Sequence, residues 1–166
     1  MELLLGIAAA IVLGVLLGVL IARRRARHRP PGAAPHDVAG LLRAYRHGHY
    51  DEVVASAPDV AAGIGAITGT TWRSRVELVW GHSLFELDRY EEAVVHLRRG
   101  LDESTGPHEA EARFVHCLGF AQQVTGRTDE ALRTYQSLLD DPDLDPEIRT
   151  GVERNLAELR GNGRTG

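Results

Sequence analysis

Lysine is absent from this chain, and all 19 of its basic charges are arginine. Together with abundant Ala, Gly, Val and Leu, that bias reflects a GC-rich bacterial coding sequence and not a function. Cysteine occurs once, at Cys117, which excludes an internal disulfide and a cysteine-built zinc site. Lying mid-helix beside Leu118, it is expected to be a small buried apolar side chain. No P-loop, nucleophile elbow, dinucleotide fingerprint or HExxH motif occurs. The eight histidines are scattered, with no His-x-x-x-His pair, and His47 and His49 only flank a turn glycine. No catalytic residue, cofactor or metal ligand is therefore expected. Basic charge is also scarce beyond the N-terminus: residues 30–166 carry 14 Arg against 22 Asp or Glu, a net charge of −8. A nucleic-acid binder needs the opposite sign. Beyond the arginine cluster, such a surface is expected to stand off an anionic bilayer.

What is present begins with Leu3–Ala22, a run of 20 residues without a charge, followed directly by Arg23, Arg24, Arg25, Arg27 and Arg29. At ~1.5 Å per residue, such a helix spans the ~30 Å of a bilayer core. A cleaved signal peptide carries its positive charge before the apolar run, whereas here it follows. Residues 1–22 are thus expected to be an uncleaved, single-pass anchor in the inner (plasma) membrane, with the bulk of the chain cytoplasmic. Gly14 and Gly18 fall in a small-xxx-small stripe and are candidates for anchor packing and homodimerisation. The arginines also suit anionic headgroups, at ~1 kcal/mol each near the surface. Residues 23–35 form a basic, proline-rich linker.

Residues 36–160 repeat themselves. Glu77, Trp80, Gly81 and Leu84 lead into Asp88-Arg89-Tyr90-Glu91-Glu92-Ala93 and Leu97. Val115, Leu118, Gly119 and Gln122 lead into Gly126-Arg127-Thr128-Asp129-Glu130-Ala131 and Tyr135. Gly81 to Gly119 and Ala93 to Ala131 are both 38 residues. Each unit reads as two helices broken at Asp88 or Gly126, with small residues that let the backbones approach. A weaker unit precedes them: Gly48-His49-Tyr50-Asp51-Glu52-Val53 echoes the Asp88 turn at an offset of 40. There Leu41 replaces the glycine, Val53 the alanine, and Pro58 is expected to disturb the second helix. Residues 63–71, rich in Gly and Thr, read as an irregular connection. Asp145 and Pro146 read as the cap and first position of a last helix, with Ile148, Val152, Leu156 and Leu159 on one face. Residues 161–166 are expected to be a disordered tail. The fold class is all-α: a transmembrane helix, a short α-solenoid of about three helical hairpins and a capping helix.

The pattern resembles the tetratricopeptide repeat family in its membrane-anchored bacterial form. Gly81, Ala93, Leu118, Gly119, Ala131, Tyr135 and Pro142 match it. Trp80 stands where the family prefers Leu, and Leu97 where it prefers an aromatic. The 38-residue period also exceeds the family's ~34. The resemblance implies a groove lined by the first helix of each unit. Its positions here are Arg75, Leu78, His82 and Phe85, then Arg113, His116, Phe120 and Gln123, with Leu42, Tyr45 and Arg46 from the weaker unit. Lysines and asparagines of the chaperone-binding carboxylate clamp are missing, which disfavours a chaperone tail.

The expected function is a non-enzymatic, membrane-anchored adaptor that recruits a protein or peptide partner at the cytoplasmic face through this groove. The arginines suit a partner with an acidic element. If His82 or His116 meets that element, binding should strengthen between about pH 7.5 and 6. An alternative makes the chain a structural subunit of a membrane complex whose main contacts run through the anchor. A third, remoter reading is a metal-dependent accessory enzyme using the histidines.

Overall fold

The computed structural model describes residues 37–64, 70–104 and 108–162; the expected anchor with Gly14 and Gly18, the linker and residues 163–166 lie outside them. Among the described residues there are seven α-helices and no strand: α1 Val38–Arg46, α2 Tyr50–Gly63, α3 Thr70–Glu86, α4 Tyr90–Asp102, α5 His108–Val124, α6 Thr128–Leu139 and α7 Pro146–Asn162. None of these is long and apolar enough to cross a membrane.

The helices pair as hairpins, and three of the turns are the same object. Gly48, Asp88 and Gly126 have φ of 73°, 61° and 75°. The next amide in each case, of His49, Arg89 or Arg127, donates back to the carbonyl of Ala44, Leu84 or Gln122 at 3.0, 2.9 or 2.8 Å. The amides of Gly48, Asp88 and Gly126 themselves donate to Tyr45, Phe85 and Gln123. This is a left-handed helix stop with both orphan carbonyls satisfied, and it reverses the chain tightly enough to begin the next helix at once. Asp88 tolerates the left-handed conformation that glycine adopts freely, and Tyr90 Oη donates to its Oδ1 at 2.8 Å.

Inside the second and third hairpins the backbones approach through glycine. A Cβ on Gly81 would lie 2.7 Å from the amide nitrogen of Leu97, and one on Gly119 would lie 2.5 Å from Cε1 of Tyr135. Gly100 does the same for Leu78, whose Cγ lies 2.7 Å from where its Cβ would be. The first hairpin lacks this approach. Leu41 and Val53, both fully buried, fill the contact with side chains.

Contrary to the sequence expectation, Pro58 does not disturb α2, which runs on to Gly63. Proline in a helix interior costs about 3 kcal/mol, mainly through one lost hydrogen bond and a clash one turn back. Against that stand Val53, Ala57 and Val60, all buried on one face of α2; each valine contributes roughly 1.5 kcal/mol or more. Pro58 itself is exposed, so no packed neighbour resists its ring.

The core is a row of three clusters. One joins α1, α2 and α3 around Leu41, Val53 and Val76. The next joins α3, α4 and α5 around Leu84, Leu97 and Leu118. The last joins α5, α6 and α7 around Tyr135, Val152 and Leu156. Odd-numbered helices also touch one another, α1 with α3, α3 with α5 and α5 with α7. They therefore form one continuous inner layer, with the even-numbered helices laid outside it. α7 starts as the sequence indicates: Asp145 Oδ1 accepts from the amides of Glu147 and Ile148 at 2.8 and 3.2 Å. It runs through Gly161 to Asn162. Arg149 is no loose surface charge, since its guanidinium donates to the carbonyls of Leu139 and Asp141 and ties α7 to the end of α6.

Candidate partner-binding face

Where α1, α3 and α5 meet, seven rings form one cluster. The His82 ring lies edge-on to Tyr45 at 5.5 Å and to Phe114 at 5.8 Å, and within 6.2 Å of Tyr50 and Phe85. Phe85 continues it to Tyr90 at 5.6 Å and Phe120 at 5.8 Å. All three phenylalanines of the chain and three of its four tyrosines belong to it. The repeated turn explains part of this gathering. Tyr50 and Tyr90 open α2 and α4 two residues after the left-handed position, so each is folded back onto the helix just completed. His82 is 7 % exposed, while the six carbon rings around it are half-buried.

The electrostatics of this floor differ from the expectation. Burial, and then the Arg113 charge, hold the His82 imidazole down to about 4. Its Nδ1 is buried without a hydrogen-bond partner, and its Nε2 is 3.9 Å from Glu86 Oε1. The ring is therefore neutral at pH 6 as at pH 7.5. His116 is lowered too, by burial and then by Arg154. The expected strengthening of binding on mild acidification therefore loses His82 as its titrating group. Burial pushes the Cys117 thiol up to about 12, as fits a packed, unreactive side chain, and burial likewise raises Tyr45 well above the ordinary phenol.

The structure gathers only some of the eight groove candidates. His82, Phe85 and Phe120 belong to the ring cluster, and Arg113 is near enough to act electrostatically on His82, Tyr45 and Cys117. Arg113 is exposed and pairs with no carboxylate among the side chains described. Arg75 is exposed as well and is not one of the residues that touch the rings. Leu78 is 5 % exposed and seated against Gly100, between α3 and α4. His116 and Gln123 turn toward α6 and α7: Asn155 Nδ2 lies 3.3 Å from His116 Nε2, and Tyr135 Oη donates to Gln123 Oε1 at 3.2 Å. Of the weaker unit, Tyr45 joins the rings, Leu42 packs on the first core cluster and Arg46 stays exposed. Sequence reasoning missed Tyr50, Tyr90 and Phe114. The first two share a signal, an aromatic two residues past each of the first two turns; Phe114 has none beyond its place beside Arg113.

A second polar assembly locks α3 to α4. Glu77, 4 % exposed, accepts from His96 Nδ1 at 2.7 Å and from Arg99 at 3.2 Å. Burial opposes its charge, but the hydrogen bonds from His96 and Arg99 outweigh that and hold the carboxyl below its ordinary value. Trp80 stacks on the His96 ring at 3.7 Å, and Ser74 donates to the Gly100 carbonyl at 2.9 Å. These histidines are thus occupied by a carboxylate, an amide or other rings. Among the described residues no three His, Cys, Asp or Glu side chains gather as a metal site.

Fold and face together define an all-α protein of helical hairpins set in a row, with an aromatic inner layer. No protein-family model, curated protein or solved structure matches the chain.

Proposed function

We propose that the chain is a membrane-anchored adaptor of tetratricopeptide type, which recruits a protein partner at the cytoplasmic face through the inner layer of its short α-solenoid. One observation carries the reading: all three hairpins contribute half-buried rings to one cluster, which leaves part of each ring open to solvent. Three identical turns 40 and 38 residues apart, and the close approach at Gly81 and Gly119, support the repeat assignment. The apolar run Leu3–Ala22 and the arginines behind it support the anchor.

A photo-crosslinking amino acid placed at Phe120 or Arg46 on the inner layer, in the full chain in cells, tests this. Both positions should give the same adduct, which should be missing when the label sits at Glu92 or Gln136 on the outer helices. Adducts arising only from labels within residues 3–22 would instead favour the structural-subunit reading. A reporter fused after Gly166 should behave as cytoplasmic.

A further inference from the structure

The inner face has a composition that restricts what it can hold. We infer that it takes a segment bearing one carboxylate next to an aromatic side chain, the ring seating among Tyr45, Phe114 and Phe120 and the carboxylate going to Arg113. This rests on the adaptor reading and adds the chemistry of the partner.

Four observations lead there. The floor is made of rings that meet edge to face, His82 on Tyr45 and on Phe114, and Phe85 on Phe120; a further ring extends such a set with the same geometry. The floor carries no cation of its own, because His82 at its centre is buried and neutral. Glu86, which has its own partner, is the acidic group beside it, and burial keeps Tyr45 and Cys117 uncharged. Arg113, exposed and next to Phe114 on α5, is close enough for its charge to act on His82 of α3 and on Tyr45 of α1, so it lies within reach of the rings.

A purely apolar segment laid on this floor would strip water from the Arg113 guanidinium without replacing its hydrogen bonds, which is unfavourable. A cationic one would be repelled. A carboxylate matches the planar donors in two parallel bonds. The surrounding domain, at −8 over residues 30–166, sets an upper limit: a run of acidic residues gains one arginine and meets long-range repulsion from the rest. A single carboxylate in an apolar setting satisfies both conditions. Arg75, equivalent in the repeat but outside the ring cluster, has no part in it.

The test uses the full chain in nanodiscs and fluorescent peptides of about ten residues with a Gly/Ser frame. One peptide carries adjacent Phe and Glu, a second Phe and Gln, a third Ala and Glu, and a fourth a run of four Glu. The Phe–Glu peptide should bind tightest, with the Gln exchange weakening it about tenfold. Arg113→Gln should remove the difference between the Glu and Gln peptides, Arg113→Lys should restore part of it, and Arg75→Gln should leave it intact. Affinity should change less than about twofold between pH 7.5 and 6, since no group on the floor titrates there. Equal binding of the Glu and Gln peptides, tightest binding by the acidic run, an equal loss for both in Arg113→Gln, or no binding at all overturns the inference. If the in-cell adduct from Phe120 nevertheless persists, the adaptor reading survives that failure; if the adduct is missing as well, both fall.

Discussion

The α3–α4 and α5–α6 hairpins are built on one plan and secured in two ways. Both close through the same left-handed turn and both bring a glycine against the opposite helix. In the first, the residue received is Leu97, and the polar fastening is ionic and internal: Glu77 with His96 and Arg99. In the second, the residue is Tyr135, fully buried, whose hydroxyl donates to Gln123 and accepts from Asn155 of α7 at 3.1 Å. That network is neutral and points outward to the next element. A hairpin's shape therefore follows from its turn and glycine. What it is fastened to follows from the polar groups its large residue brings along.

The sharpest way to break this comparison is to fill the glycine positions. Gly81→Leu and Gly119→Leu should each destabilise by about 3 kcal/mol or more in chemical denaturation, beyond ordinary overpacking. Alanine should separate them. At Gly81 the new methyl meets the Leu97 backbone at 2.7 Å, whereas at Gly119 it meets only the Tyr135 ring. Adding Tyr135→Leu should thus recover part of the loss in Gly119→Ala, while Leu97→Ala should not rescue Gly81→Ala.

Acid comes next. His82 has a folded value of about 4 against 6.5 unfolded. Above pH 6.5 both states are neutral and nothing is lost. Between 6.5 and 4 the unfolded chain takes up a proton that the folded one refuses, so stability should fall by up to roughly 3 kcal/mol. Denaturation midpoints at pH 7 and 5 should diverge in the wild type and converge in His82→Phe.

The two fastenings give smaller effects that differ in kind. Glu77→Gln should cost about 1–3 kcal/mol near neutrality. Because the folded carboxyl is held low, its contribution is present above the unfolded carboxylate value and fades as pH drops through the folded one. The variant should approach the wild type there. Asn155→Ala should cost about 1–2 kcal/mol without that carboxylate-linked closing, since it removes the donor to Tyr135 Oη and the contact with His116 Nε2 while Gln123 still accepts from the phenol. Smallest of all, Glu92→Ala breaks the exposed pair with Arg89, 2.7 Å apart, and should stay within about 0.5 kcal/mol.

The sequence carried the hairpin plan because glycine, alanine and turn residues recur at one offset, and close backbone approach leaves few other residues possible. It did not carry the fastenings. Glu77 and His96 are 19 residues apart, His116 and Asn155 39, and no local spacing marks either pair. Pro58 was misread for a related reason: a helix survives it when the face away from the ring is buried deeply enough. Of the groove candidates, Phe85 and Phe120 lie together because the repeat register holds. Leu78 turned inward because Gly100, at an offset the pattern does not use, opened a slot for it. The depth of His82 was illegible, since its neighbours Tyr45, Tyr50 and Phe114 come from three other helices.

The inner layer also has a length. Four helices, α1, α3, α5 and α7, lie side by side, and helices packed this way sit about 8–10 Å apart. Crossing from the first axis to the last thus covers roughly 24–30 Å, the reach of about seven to nine residues of extended chain at ~3.3 Å each. The ring cluster spans only the first three of those helices, while the Tyr135 network that joins α5, α6 and α7 is buried. The row of helices is therefore longer than the patch its rings make, and a segment of about seven to nine residues would run past the rings onto the α7 end.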